Sequence, residues 1–296
     1  MLSIKVSDLT PLQIHNYLNY SVAPRPICLA STIDKAGNVN LSPFSYFNVF
    51  SVNPPVCVFS PSRRVRDNTI KHTLENMHEV PECVINIVNY DMVQQVSLSS
   101  VEYVKGINEF TKSGLTPIAS DLVKPPRVAE SYVQFECVIK DIISLGDNAG
   151  AGNLVLAEIK LIHISEDVLD ADGKINQAKM DHVARLGGDW YCRVTEDNLF
   201  KVAKPNVKIG IGVDALPHNI RNSKVLTGNN LGQLGNVEAL PADDEVEAYA
   251  QTAEIKELLD ATIGDNQTRE LQLHLKVKAL LDEDRVVEAW RVLLME

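Results

Sequence analysis

The chain has no apolar run that approaches the ~20 residues a membrane span requires, which argues against a transmembrane protein. Its first twenty residues, MLSIKVSDLTPLQIHNYLNY, lack the basic start and apolar stretch of a secretory signal. Cysteine is scarce. Cys28, Cys57, Cys83, Cys137 and Cys192 are odd in number, far apart and never spaced C-x-x-C. They predict buried thiols in a reducing cytoplasm rather than disulfide staples or zinc ligands. Positive charge is in deficit, with 28 Lys and Arg against 39 Asp and Glu and a net charge of −11. Such a chain repels phosphate backbones, so sequence-wide nucleic-acid binding is not expected. The motifs of several enzyme classes are also missing: G-x-x-x-x-G-K-[ST], G-x-S-x-G and H-E-x-x-H do not occur. Gly210-Ile211-Gly212 lacks the third glycine of the dinucleotide fingerprint and precedes the loop-like VDALPHN. The seven histidines never fall at ligand spacing with a carboxylate partner, so no metal site is expected.

What is present is a soluble globular composition, 45% hydrophobic and 23% charged over 296 residues. The first two hundred residues are dominated by short β-branched runs: PICLASTI (26–33), VCVFS (56–60), CVINIVN (83–89), YVQFECVIKDII (132–143) and LVLAEIKLIHI (154–164). In the fourth, Val133, Phe135, Cys137 and Ile139 alternate with Gln134, Glu136 and Lys140, the period of a half-buried strand. Ala36-Gly37-Asn38 predicts a hairpin turn, and helices are expected only near 10–19, 68–78 and 91–99. Strands in series without regular intervening helices predict a mainly β (α+β) fold, an antiparallel barrel with helical additions.

The rest of the chain has a different character. Residues 241–296 carry 14 acidic and 6 basic side chains, a net −8 of the total −11. Apolar residues there recur at three and four, and Gly264-Asp265 separates two such runs, predicting an acidic helical hairpin. Between the two regions, 201–240 is rich in Gly and Asn. It reads as a segment wrapping a barrel domain of residues 1–200, or alternatively as a lid over a pocket.

Two local features carry chemistry. Arg63, Arg64, Arg66 and Lys71 place four cations within nine residues, where the chain average gives about one. They run from a loop into an expected helix start with Asp67 or Asn68 as its cap. Free N–H groups and the positive end of the helix, joined by donors from the Arg, Lys, Ser and Thr side chains between Ser60 and Thr73, form a candidate phosphate site. The alternative is a solvated basic loop pairing with the acidic tail. The second feature is the stretch from Ala30 to Asn48, in which hydroxyls, amides and three aromatics interleave along a strand leaving a hairpin. That is the make-up of a cofactor pocket, or of an irregular edge with turn-forming residues.

RPICLASTIDKAGNVNLSPFSYFNVFSVNPPVCVFSPS, IKHTLENMHEVPECVINIV, GINEFTKSGLTP, PPRVAESYVQFEC and HVARLGGDWY, in that order, resemble the successive motifs of the flavin reductase-like family. The resemblance runs from roughly residue 12 to 195 and implies an FMN-binding split β-barrel, with FMN in preference to FAD. It implies a homodimer with flavin near the subunit interface, NADH or NADPH as hydride donor, and free flavin, ferric iron or a partner monooxygenase as acceptor. By position, Ser31, Thr32, Ser42, Pro43, Phe44 and Ser45 would line the flavin ring and ribityl chain, Asn48 would lie near the ring, and Ser60, Arg64, Lys71 and Thr73 would hold the phosphate. His72 stands where members of the family often have Asp. His182, Arg185 and Tyr191 are candidates for the substrate side. Because a flavin accepts hydride by its own chemistry, no single side chain is expected to be catalytic. The same pocket would also serve an FMN carrier or an assembly subunit without reductase turnover.

Overall fold

A computed structural model describes residues 1–205 and 209–295. Asn206, Val207, Lys208 and Glu296, which the sequence reading assigns to the Gly/Asn-rich segment and the end of the acidic region, lie outside the described residues. The chain divides into two compact units, Met1–Phe200 and Lys201–Glu296.

In the first unit, seven strands build one antiparallel sheet: β1 (Cys28–Ile33), β2 (Val39–Phe44), β3 (Phe47–Val52), β4 (Pro55–Phe59), β5 (Glu82–Ile87), β6 (Val133–Ser144) and β7 (Asn153–Ile164). Their spatial order is β2-β1-β5-β6-β7-β4-β3. This order puts β2 and β3 at opposite edges, yet only Ser45 and Tyr46 separate them in the chain. Three Cα–Cα steps reach at most about 11 Å, whereas six strand gaps laid flat would span roughly 29 Å. The sheet must therefore curl until its edges approach, which makes it a split β-barrel.

Cys28, Ala30, Cys57, Phe59, Cys83, Ile85, Cys137 and Val155 fill the barrel interior. On β1 the intervening Leu29, with Ile27 before the strand, packs outward against Met92, Val96 and Phe110. Both faces of β1 are covered, so its sequence lacks the apolar–polar alternation of a half-buried strand. Strand β6 departs from the half-buried expectation. Gln134 and Glu136, on its polar face, are buried as well. The 117–128 segment covers them, and each polar atom is matched. The Gln134 amide donates to the Val128 and Ser131 carbonyls. The Glu136 carboxylate accepts the backbone N–H groups of Asp121, Leu122 and Val123. His163 lies 2.7 Å from the same carboxylate and Asp121 is nearby, so the structure does bring one histidine together with two carboxylates. The contact crosses from β6 to β7, which is why no spacing along the sequence revealed it. With three amides and an imidazole on Glu136, the group serves as a hydrogen-bonded anchor for the covering loop.

Four helices accompany the barrel: α1 (Pro11–Ser21), α2 (His72–Glu79), α3 (Val93–Leu98) and α4 (Glu109–Ser113). α2 inserts Leu74 and Met77 into the barrel core, while α3 and α4 cover the outer layer. α1 opens with a reciprocal Thr10–Gln13 capping box and Pro11 at its first position. Helix α2 begins later than expected. Asp67 accepts from Thr69 in a local turn, Asn68 takes φ 57°, and Lys71 is the residue that caps the helix.

The second unit is helical: α5 (His218–Arg221), α6 (Gly228–Gly235), α7 (Asp243–Ala250), α8 (Ala253–Ala261), α9 (Asn266–Asp282) and α10 (Val286–Leu293). Each half of the expected hairpin is broken once. A capped turn at Gln251–Thr252 separates α7 from α8, and Asp284, at φ 60°, ends α9 before α10. Leu216, Ile220, Leu226 and Leu234, from the Gly/Asn-rich segment, share one core with Ile255, Leu273, Leu280 and Trp290. The indole of Trp290 donates to the Leu234 carbonyl at 3.0 Å. The Gly210-Ile211-Gly212 segment is a close backbone crossing: Gly212 N–H donates to the Gly235 carbonyl, and a Cβ on Gly210 would lie 2.5 Å from that oxygen. Among the described residues, no helix is long and apolar enough to cross a membrane.

Because the core of the second unit draws on both sides of Pro241, the point of truncation matters. A chain ending at Phe200 is expected to keep the melting transition of the barrel unit. One ending at Pro241 strips Leu216, Ile220, Leu226 and Leu234 of their partners and should leave 201–241 sensitive to limited proteolysis. Equal protease resistance in the two truncated proteins would refute the shared core.

Candidate functional site

The 60–73 loop is anchored to the barrel rim at one end, where Ser60 N–H donates to the Tyr46 carbonyl at 2.9 Å. Gly152 lies against this point, and a Cβ there would sit 2.7 Å from Ser60 Oγ. The four cations then part company. Arg63 is engaged within the loop, with Nε and Nη2 donating to Asn68 Oδ1 and its carbonyl, both at 2.7 Å. Arg64 is mostly buried, donates to Thr69 Oγ1 at 2.9 Å and places Nε 3.3 Å from Glu102 Oε1. Arg66 pairs with the other oxygen of Glu102 at 3.1 Å. Lys71 is half-buried, with its ammonium 5.7 Å from the centre of the Phe44 ring. Among the described residues it has no hydrogen-bond or ion-pair partner. Burial and the Arg64 guanidinium lower its pKa, while Glu102 acts in the opposite direction.

Ser42, Arg64, Lys71 and Thr73 line one cleft together with Asn40, His72, Glu102 and Glu109. The fit is tight: the cleft has about 20 Å³ of free space, room for roughly one water. Behind it runs a buried polar chain. Thr73 Oγ1 donates to Asn40 Oδ1 at 2.6 Å, and Asn40 Nδ2 donates to Glu109 Oε1 at 3.0 Å. Glu109 Oε2 accepts the Leu41 N–H at 3.0 Å. Burial raises the Glu109 pKa, against the pull of these donors. The chain fixes the first turn of α2 against β2.

The other residues singled out from the sequence are placed as follows. Ser31 and Thr32 are fully buried, with Ser31 Oγ donating to the Pro126 carbonyl and Thr32 Oγ1 accepting from Asn76 at 3.2 Å. Pro43 is half-buried opposite Leu29, and Phe44 packs on Phe59 with ring centres 5.2 Å apart. Ser45 Oγ accepts from Arg25 Nε at 3.4 Å, and Asn48 lies exposed on the edge strand β3. His182, Arg185 and Tyr191 sit apart from the cation cleft. A small sheet joins Arg25–Pro26, Val183–Arg185 and Tyr191–Arg193. Arg185 stacks over Tyr191 at 4.4 Å, and both line a second cleft of about 430 Å³ with Tyr90, Gln94, Ser97 and Arg193. His182, whose pKa is lowered by burial against the effect of Asp181, is not among the residues lining it. Arg25 ties this sheet to the rim: it donates to the Leu186 carbonyl at 3.0 Å as well as to Ser45. Sequence reasoning missed Arg25, Glu102 and Glu109. Their decisive contacts are distant in the chain, and the only signal was the position of Arg25 and Glu109 within the quoted RPICLASTI and GINEFTKSG motifs.

The family model for the flavin reductase-like domain matches residues 20–179, just over half of the chain. The chain belongs to the flavin reductase-like family. An uncharacterised protein from Aquifex aeolicus is 37% identical over 181 residues, covering 61% of this chain and 90% of that protein. Among solved structures, nitrilotriacetate monooxygenase component B from Bacillus cereus is similar, with a TM-score of 0.64 and 28% identity over 68% of this chain and 98% of that one. The 2-nitrobenzoate 2-nitroreductase of Pseudomonas fluorescens gives a TM-score of 0.62 and 26% identity over 70% and 98%. Within this flavin reductase-like domain the match includes both the cation loop and the Thr73–Asn40–Glu109 chain. Arg185 and Tyr191 lie beyond its end.

Replacing Glu109 by Gln keeps the shape of the side chain but turns an NH2 group toward one of its two donors. The variant is expected to lose about 1–3 kcal/mol of stability in urea unfolding. Unchanged stability would show that the buried chain does not hold α2.

Proposed function

We propose that the chain is an FMN-dependent oxidoreductase that takes a hydride from NADH or NADPH and passes electrons to an acceptor. The observation that carries this reading is the half-buried, unpaired Lys71 ammonium, set in a cleft with Arg64 at the first turn of α2. A partly desolvated ammonium with no hydrogen-bonded acceptor has donors to spare, and a ligand can satisfy them. Phosphate chemistry suits this donor set, with an ammonium, a guanidinium, the Ser42 hydroxyl and amides at a helix start. Bound there, a flavin supplies hydride acceptance at its own ring. Lys71, Arg64 and the α2 amides hold the phosphate, Ser42 and Ser45 border the path along the rim, and Phe44 closes the apolar side. Arg185, with no carboxylate within 4 Å among the described residues, is placed on the substrate side with Tyr191. The name of component B of nitrilotriacetate monooxygenase makes a partner oxygenase one acceptor to test, beside free flavin and ferric iron.

The protein is expected to bind FMN more tightly than riboflavin, and Lys71→Glu should weaken FMN about ten- to a hundredfold while sparing riboflavin. The range follows from roughly 1.5–3 kcal/mol for a contact to a charged group. Equal affinity for the two flavins would remove the phosphate site. Anaerobic mixing of the FMN-loaded protein with NADH or NADPH should bleach the yellow colour. Failure to bleach with either nucleotide would favour a carrier or assembly subunit over a reductase.

A homodimer accompanies this reading. α1 leaves Leu12 67%, Leu18 55% and Tyr20 61% exposed, and edge strand β3 leaves Phe50 71% and Val52 86% exposed. The two are neighbours, because Arg25 binds the Asn19 and Val22 carbonyls at the end of α1 as well as Ser45 beside β3. An uncovered helix beside a strand with one open edge calls for apolar cover, and a second copy of the same surface supplies it. Light scattering should report twice the chain mass, and Phe50→Glu should shift it toward one. A monomer that retains full FMN binding would exclude the dimer.

A further inference from the structure

Glu102 stands in the cation cleft with no role in the flavin reading, although its charge opposes that of any phosphate. Its two oxygens lie 3.3 Å from Arg64 Nε and 3.1 Å from Arg66 Nη2, so it bridges two of the loop cations. It belongs to the irregular segment between α3 and α4, and its side chain is 42% exposed. The other carboxylate of the cleft, Glu109, is buried and held by Asn40 and the Leu41 amide. Ser42 and Thr73 are fixed by β2 and α2. The cleft is narrow, and of its two carboxylates Glu102 is the one free to swing out.

The charge balance points the same way. Arg64 and Lys71 face Glu102 and Glu109, so the cleft is near neutral before a ligand arrives. An anion that displaces Glu102 replaces one carboxylate pairing. A singly charged anion gains little by that exchange. A phosphate monoester, at roughly −1.5 to −2 near neutral pH, gains additional attraction to the same cations. A partly exposed ion pair is weak enough to be displaced.

We infer that Glu102 is an internal anion occupying the phosphate-binding cations, and that a dianionic phosphate monoester displaces it whereas chloride and carboxylates do not. The inference rests on the flavin reading above and adds a residue that sets the selectivity of its phosphate site.

The test is Glu102→Gln in the full-length protein, with flavin fluorescence titrations of FMN and riboflavin at near-neutral pH. FMN is expected to bind about three- to tenfold more tightly to the variant, with riboflavin within about twofold of the unaltered protein. Raising chloride about tenfold should weaken FMN binding more in the variant, because chloride then meets cations without an internal competitor. FMN binding that is unchanged or weaker in the variant would overturn the inference and make Glu102 a support for Arg64. So would an equal change for riboflavin, or an unchanged response to chloride. These outcomes differ from failure of the flavin reading itself, in which the unaltered protein would bind FMN no better than riboflavin.

Discussion

Ser45 and Tyr46 join two strands that the hydrogen-bond order places at opposite edges of a seven-stranded sheet, and the candidate site depends on that short connection. Curling the sheet brings the end of β2 beside the start of β3 and leaves an irregular rim between them. The rim supplies the Tyr46 carbonyl that anchors Ser60, and Phe44 on β2 supplies the ring beneath Lys71. The loop of cations is therefore tied at Ser60 to the closure point and at Lys71 to the start of α2. α2 in turn is held by Leu74 and Met77 within the barrel core. A longer connection between β2 and β3 would relax the curl and separate these three anchors.

Much of this was legible in the sequence, and the reason lies in local chemistry. Four cations in nine residues stood out by composition alone, and the alternation in β6 located Cys137 in the barrel core with Phe135 and Ile139 packed against it. The hairpin at Ala36–Asn38 was readable because Asp34 Oδ1 accepts from the N–H groups of Ala36 and Asn38, a contact within five residues. What escaped were interactions across the fold. Asn40 and Glu109 are 69 positions apart, and Glu136 meets His163 across two strands. The start of α2 was misplaced for a related reason. Asp67 has the chemistry of a helix cap, but its carboxylate is already committed to Thr69, whose hydrogen bonds hold its pKa down at about 2.

The helical unit shows the same division between pattern and placement. The three-and-four periodicity marked the region that holds α7 to α10 as helical. It did not reveal the breaks at Gln251–Thr252 and Asp284, because polar residues at those points are compatible with a continuous solvated face. Nor did composition show that the Gly/Asn-rich segment contributes its own apolar residues to the helical core. Glycine there permits close backbone approach rather than flexibility, as the crossing of Gly212 and Gly235 shows.

Two buried glutamates show how the fold treats charge at its two faces. Burial acts to raise both pKa values, yet Glu136 ends below the ordinary carboxylate value and Glu109 above it. One difference is the number of donors. Glu136 has three backbone amides and His163, which together outweigh desolvation, so it remains a well-compensated anion that pins the covering loop. Glu109 has one amide and one side-chain amide, fewer than desolvation requires. Its incomplete compensation falls on the cation side of the fold, where the charge of Lys71 is incompletely compensated as well. An anion site needs both conditions: a cation left short of partners, and a neighbouring carboxylate too firmly held to rotate and satisfy it. Glu109 is bound by Asn40 and Leu41 and cannot reach across to Lys71. Glu102, on an irregular segment, can reach Arg64 and Arg66, yet it leaves Lys71 unpaired. The distribution of donors over these carboxylates is therefore what keeps one cation of the cleft available to a ligand.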